Sequence, residues 1–256
     1  MFAADLYFRV IGDTSYDAAE AAIRHYLEAL IFQGQILGRE FPTVLQQEHF
    51  VSRVVLPAQD ALLMAHHSDA GRQALHALQQ AGLSYPKAEI AGVDLMSNHT
   101  DPCPSAEQYI LYCRFAQMNS VLYCAEHFAP VPLYRFGVDT GFEDLIRWQL
   151  QYQALDEVQM QQNSILLQPA ERALQNFGSK LNRQGRAFAR SISRRIAKPV
   201  YYALYRGSST DCDTETQRRC PGCGGEWLLP EPWHHRFDFR CDRCLLVSNI
   251  AWQCQG

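Results

Sequence analysis

The sequence predicts an α+β protein built in successive parts. Three observations carry that reading. The first hundred residues alternate between strand-like and helix-like patterns, residues 140–198 follow a helical period, and four of the nine cysteines form two Cys-x-x-Cys pairs near residue 230. A length of 256 residues suits one large domain or two or three small ones. A hydrophobic content of 47% supports a packed core and excludes wholesale disorder.

The elements follow in order. Residues 5–11 alternate as a strand. Gly12-Asp13-Thr14-Ser15 supplies a turn and a helix N-cap, and residues 16–33 carry Ala, Ile, Tyr and Leu at helical spacing up to Gly34. Strand patterns cover 38–46 and 49–57, a helix fits 69–81 before Gly82, and a strand near 88–95 closes the set. The order β-α-β-β-α-β is that of a ferredoxin-like sandwich, expected over residues 1–100. A central strand and helix region is expected over 101–206. Its strands lie near 108–115 and 121–136, interrupted by Gln117-Met118-Asn119-Ser120, Pro130 and Pro132. Pro169 and Gly178 divide the helical stretch into about three helices, and Val200–Tyr205 reads as a strand. Residues 207–217 are small and polar, as in a linker.

The last part, 218–256, holds Cys220-Pro-Gly-Cys223, seventeen intervening residues and Cys241-Asp-Arg-Cys244. Two residues between paired cysteines let both sulfurs reach one ion, and tetrahedral zinc takes four of them at about 2.3 Å. The spacer suits a hairpin that returns the second pair to the first, with strands at 227–229, 236–240 and 245–247. This is the pattern of a zinc ribbon. One structural Zn²⁺ is expected on Cys220, Cys223, Cys241 and Cys244, and four thiolates leave it no open position for chemistry. So short a segment needs such a staple to fold. Trp227, Trp233 and Trp252 are expected to form its small core. His234-His235 reads as a polar hairpin tip, a spare or second ligand being the alternative. The odd cysteine number and the absence of a signal-peptide pattern predict reduced thiols or metal ligands, not a disulfide framework, in a soluble cytoplasmic protein. No apolar run reaches the roughly 18 residues of a membrane span.

The net charge of -4 conceals an asymmetry. Residues 1–171 carry 9 Lys/Arg against 20 Asp/Glu, residues 172–219 carry 11 against 3, and residues 220–256 carry 3 against 4. Within the basic stretch Arg183, Arg186, Arg190 and Arg194 repeat at helical spacing, with Lys198 at the edge and Leu181, Phe188, Ile192 and Ile196 on the opposite side. Such a stripe suits phosphates. A solvated face docked on the acidic body, or an acidic protein partner, are the alternatives. Cys124-Ala-Glu-His127 could be half of a second metal site with Cys103 or Cys113, against the plainer reading of a buried thiol and a satisfied histidine. No Gly-rich phosphate loop, Ser/His/Asp signature or His-Glu-x-x-His occurs, and no residue is nominated as catalytic.

Several stretches together carry a resemblance. They are Cys124-x-x-His127 with Pro130-Val-Pro-Leu-Tyr-Arg135, Arg147-Trp148-x-x-x-Tyr152, Arg183-x-x-Gly185-Arg186, Lys198-Pro-Val-Tyr-Tyr-Ala-Leu-Tyr-Arg206, Arg219-Cys-Pro-x-Cys-Gly224 and Phe239-x-Cys-Asp-x-Cys-Leu-Leu-Val-Ser-Asn249. Over residues 120–252 the chain resembles a bacterial family of uncharacterised zinc-ribbon-containing proteins described as candidate nucleic-acid binders. The resemblance supports the four ribbon ligands residue by residue. The expectation is a non-enzymatic binding protein that engages nucleic acid or a ribonucleoprotein through the arginine stripe. The alternatives are a protein-interaction adaptor whose ribbon docks a protein, and an enzyme with a site near Cys124 and His127.

Overall fold

The structure is a computed structural model that describes residues 1–115, 119–137, 141–162, 165–208 and 211–254. The chain forms two compact units. The first comprises residues 1–102 with returns of the chain at 118–120 and 129–143, and the second is built from 103–117, 121–128 and 144–256.

The first unit contains β1 (Phe2–Arg9), α1 (Tyr16–Gln33), β2 (Thr43–Gln46), β3 (His49–Leu56), α2 (Asp69–Gln80) and β4 (Lys87–Val93). Its antiparallel sheet has the order β2-β3-β1-β4, the ferredoxin-like arrangement that the element order predicts. Alternation explains it. Ala4, Leu6 and Phe8 of β1 and Phe50, Val54 and Leu56 of β3 share a core with Ile23, Leu27 and Leu30 of α1 and Leu75 and Leu78 of α2. Both helix starts are fixed by serine. The Ser15 hydroxyl accepts from the Ala18 N–H at 3.2 Å, and Ser68 accepts from Gly71 at 3.2 Å. Gly34 ends α1 in the left-handed region at φ 72°, its N–H donating to the Ile31 carbonyl.

The second unit contains β5 (Tyr109–Leu111), β6 (Leu122–Cys124), α3 (Glu143–Met160), α4 (Leu167–Gln175), α5 (Lys180–Ile196), β7 (Val200–Leu204), α6 (Cys212–Thr216), β8 (Leu228–Trp233), β9 (Phe237–Cys241) and β10 (Leu246–Ser248). One six-stranded sheet joins them in the order β6-β5-β7-β10-β9-β8. The central strand β7 runs parallel to both β5 and β10, and all five of its residues are buried. Burial on both faces explains its unbroken apolar and aromatic sequence. The edge strand β8 carries Pro230 and Pro232 and pairs irregularly with β9, which is where a sheet tolerates residues lacking an N–H.

Several expectations change. The strand expected at 121–136 shrinks to β6, followed by a turn and a 3-10 turn at Leu133–Phe136, because Pro130 and Pro132 cannot donate to a ladder. Gln117 and Met118, from the expected interruption, lie outside the described residues. Pro169 does not separate helices. It sits in the first turn of α4, where a missing N–H costs nothing, and the break falls between Met160 and Leu167. The stretch read as a linker contains α6, although Ser209 and Thr210 lie outside the described residues. The expectation of only free or ligating thiols is corrected, since Cys212 and Cys254 are joined as a disulfide. The segment after residue 218 is no separate body either, because β10 pairs with β7. Among the described residues, no helix is long and apolar enough to cross a membrane.

Candidate metal centre and cationic helix

Cys220 to Cys223 form a tight turn before β8. The Gly224 N–H donates to the Cys220 carbonyl at 2.8 Å, and Gly224 takes the left-handed conformation at φ 72° that lets the chain leave the turn. Cys241 is the last residue of β9, and a second turn carries the chain through Cys244 to β10. The hairpin between the pairs turns through His234, His235 and Arg236, with both histidines left-handed at φ 56° and 52° and the Arg236 N–H donating to the Trp233 carbonyl at 3.2 Å. The four sulfurs lie within 4.8 Å of one another, and Cys223 Sγ stands 3.7 Å from Cys241 Sγ. A tetrahedron with bonds of about 2.3 Å has edges of about 3.8 Å, so the donor set fits a single thiophilic ion. A Cβ on Gly222 would lie 2.7 Å from Cys244 Sγ, so the turn excludes any larger residue there. The Gly225 N–H beside Cys223 holds its thiol down at about 7, while burial pushes Cys241 and Cys244 up.

The support beneath this group was not legible as such. Glu215 of α6 is buried, with Arg206 at 3.0 Å and Arg218 at 3.3 Å. Arg218 also lies over Phe239 at 4.4 Å, and its carbonyl accepts from the Trp227 indole N–H at 2.8 Å. Trp227 is buried against Phe239 as expected, but Trp252 is 55% exposed and belongs to no core. Trp233 packs on Tyr201 of β7, so the expected small core merges with the central sheet.

Ser179 caps α5, accepting from the Asn182 N–H at 3.1 Å. The buried face of α5 runs through Leu181, Asn182, Gly185, Ala189 and Ile192, whereas Phe188 and Ile196 are only half-buried. Arg183, Arg190 and Arg194 are exposed and have no partner among the described residues. Two members of the predicted stripe have partners within the protein. Arg186 folds back, donating to the carbonyls of Phe177 at 2.9 Å and Asn182 at 3.3 Å while covering the Phe177 ring at 3.5 Å. Lys198 donates to Ser105 Oγ at 2.8 Å and the Ala106 carbonyl at 2.6 Å. The predicted five cations therefore reduce to three that face solvent unpaired.

His234 is no free ligand: its Nε2 lies 2.8 Å from the Ala125 carbonyl oxygen and its ring stacks on Phe128 and Trp233. A cleft of about 470 Å³ opens in the second unit between Tyr112, Tyr152, Asp156, Arg236 and Trp252. Burial raises the Asp156 carboxyl above its usual range, and the Phe115 N–H donates to it at 2.9 Å. Neither Cys124 nor His127 lines this cleft, so the pocket that the enzyme alternative needs around those two residues is not the one found.

Fold and site together define a two-unit α+β protein carrying a four-cysteine group able to hold a metal ion. Three family profiles match it in succession, each described as a domain of unknown function: DUF8589 over residues 1–92, DUF2310 over 103–205 and DUF8594 over 209–254. A Haemophilus influenzae protein described as uncharacterized is 31% identical over 259 residues, covering 98% of this chain and 99% of its own. A second one from the same organism is 34% identical over 175 residues, covering 68% of this chain and 86% of its own. The chain belongs to this bacterial family, the one that carries DUF2310 and the Haemophilus influenzae proteins. A solved structure from Deinococcus radiodurans, described as a candidate antibiotic biosynthesis monooxygenase, aligns with 37% of this chain and 93% of its own at 15% identity and a TM-score of 0.28.

Proposed function

We propose that this protein is a cytoplasmic, zinc-ribbon-containing binding protein that engages nucleic acid through α5. Zinc on Cys220, Cys223, Cys241 and Cys244 would be structural, since four thiolates complete its shell. The reading is carried by one observation: Arg183, Arg190 and Arg194 stand exposed on one helix, unpaired among the described residues, in a strongly cationic stretch of an acidic chain. Nothing in that stripe neutralises them, so phosphates would release counterions on binding. The test measures anisotropy of labelled single-stranded RNA and duplex DNA over a salt series. Three phosphate contacts give a slope of log affinity against log salt near about -2 to -3. The triple substitution of Arg183, Arg190 and Arg194 to Gln removes that slope. Affinity that is absent at low salt, or unchanged in the triple variant, rejects the reading.

A further inference from the structure

The turn at Cys124–His127 repeats the backbone of the two turns that carry the four-cysteine group. Cys124 ends β6 as Cys241 ends β9. The Phe128 N–H donates to the Cys124 carbonyl at 3.0 Å, as the Gly224 N–H does to Cys220 at 2.8 Å. The residue after the second ligand position is left-handed in all three turns: Gly224 at φ 72°, Leu245 at 49° and Phe128 at 50°. The Glu126 N–H donates to Cys124 Sγ at 3.4 Å, the type of contact that stabilises a ligating sulfur. Two bulky residues at Leu245 and Phe128 accept a conformation that suits glycine, and in each the turn aims a donor atom at a common point.

A third donor arrives from elsewhere in the unit. Cys103 Sγ lies 3.6 Å from His127 Nδ1, and Cys124 Sγ lies 3.8 Å from the same nitrogen. The two sulfurs and the ring nitrogen fall within 4.8 Å of one another. For zinc with sulfur at about 2.3 Å and nitrogen at about 2.0–2.1 Å, a tetrahedral edge between them is about 3.6 Å. Cys113, the other candidate partner, lines the separate cleft.

We propose that Cys103, Cys124 and His127 form a second metal site, selective for zinc by its two thiolates and one imidazole. Unlike the four-cysteine group, it mixes two thiolates with an imidazole.

The test counts metal. Full-length protein loaded with zinc and cleared of loose ion is analysed for zinc per chain, and a cobalt(II)-loaded sample is read by absorption. Two ions per chain are expected. Cys124→Ser and the exposed-residue variant His127→Ala each lose one, Cys223→Ser loses the other, and His127→Cys keeps two while gaining thiolate-to-cobalt absorption. A purely structural histidine would not give that gain. One ion per chain that only Cys223→Ser removes overturns the proposal, as do two ions that survive both Cys124→Ser and His127→Ala. One ion that Cys124→Ser removes supports this site and rejects the four-cysteine reading instead.

Discussion

Asn182 is a fully buried amide in the first turn of a helix whose sequence reads as cationic. Its nitrogen donates to the carbonyls of Leu174 at 2.9 Å and Asn176 at 2.8 Å, closing the end of α4, and its oxygen accepts from the Tyr202 hydroxyl at 2.6 Å. Asn182→Ala leaves several buried groups bare, at about 1–3 kcal/mol each, so a large fall in urea midpoint is expected. Gly185 is set by contact in the same way. A Cβ there would lie 2.4 Å from the Tyr202 ring and 2.6 Å from Trp148, so Gly185→Ala costs about 1–3 kcal/mol by overpacking, read from the same denaturation curve. In the first unit His67 is 1% exposed, with Nε2 accepting from the Tyr26 hydroxyl at 3.0 Å and Nδ1 facing the Leu63 carbonyl at 3.2 Å. A neutral ring satisfies both. Burial, with Arg72 and His66 nearby, lowers its pKa below the ordinary 6.5. Between that depressed value and 6.5 the unfolded chain binds the extra proton, so stability falls as pH drops below 6.5. Thermal melting across that window should show the slope in the wild type and lose it in His67→Gln.

At the scale of elements, α5 separates spacing from availability. Helical spacing correctly puts Arg183, Arg186, Arg190 and Arg194 near one another, but it cannot say which of them the protein itself has engaged. Arg186 covers Phe177 and ties the α4–α5 junction, so Arg186→Gln should lower stability while leaving the salt slope of nucleic-acid binding almost unchanged. Arg190→Gln should do the reverse, reducing the slope by about 0.7–0.9. Binding titrations beside melting curves separate the two. The same limit governed the rest of the chain. The first unit was legible because Ala4, Leu6 and Phe8 alternate and Ser15, Gly34 and Gly82 mark helix ends, all of which are local signals. β5 and β6 have three residues each, too few for a period to register, and β8 hides behind two prolines. The four-cysteine group was legible because ligand spacing is itself local. The convergence of Cys103 on Cys124 and His127 was only half-visible, since twenty residues separate Cys103 from the turn it meets.

Across the whole molecule, the consequence of the six-stranded sheet is that an ion held by the four cysteines would be coupled to the fold beyond the segment that carries them. Read from sequence, residues 218–256 were a module after a linker, and losing its ion would have unfolded that module alone. The pairing differs. β10 lies between β9, which ends in Cys241 of the four-cysteine group, and the central strand β7, which it pairs through Leu246, Val247 and Ser248 opposite Tyr202, Ala203 and Leu204. Tyr201 of β7 further hydrogen-bonds Asp242 at 2.7 Å, inside the second cysteine turn. If the four cysteines hold zinc as proposed, removing it would leave a segment too small to hold its own turns, and β10 would be lost with it. β7 then loses one of its two neighbours, while β5 on its other side remains. Chelation followed by hydrogen exchange should therefore expose amides throughout 220–248 and partly deprotect Tyr202–Leu204 of β7. β1 and β3, in a sheet of their own with a separate core, should keep their protection. Protection of β7 unchanged by chelation would show that the C-terminal segment folds as an appendage after all.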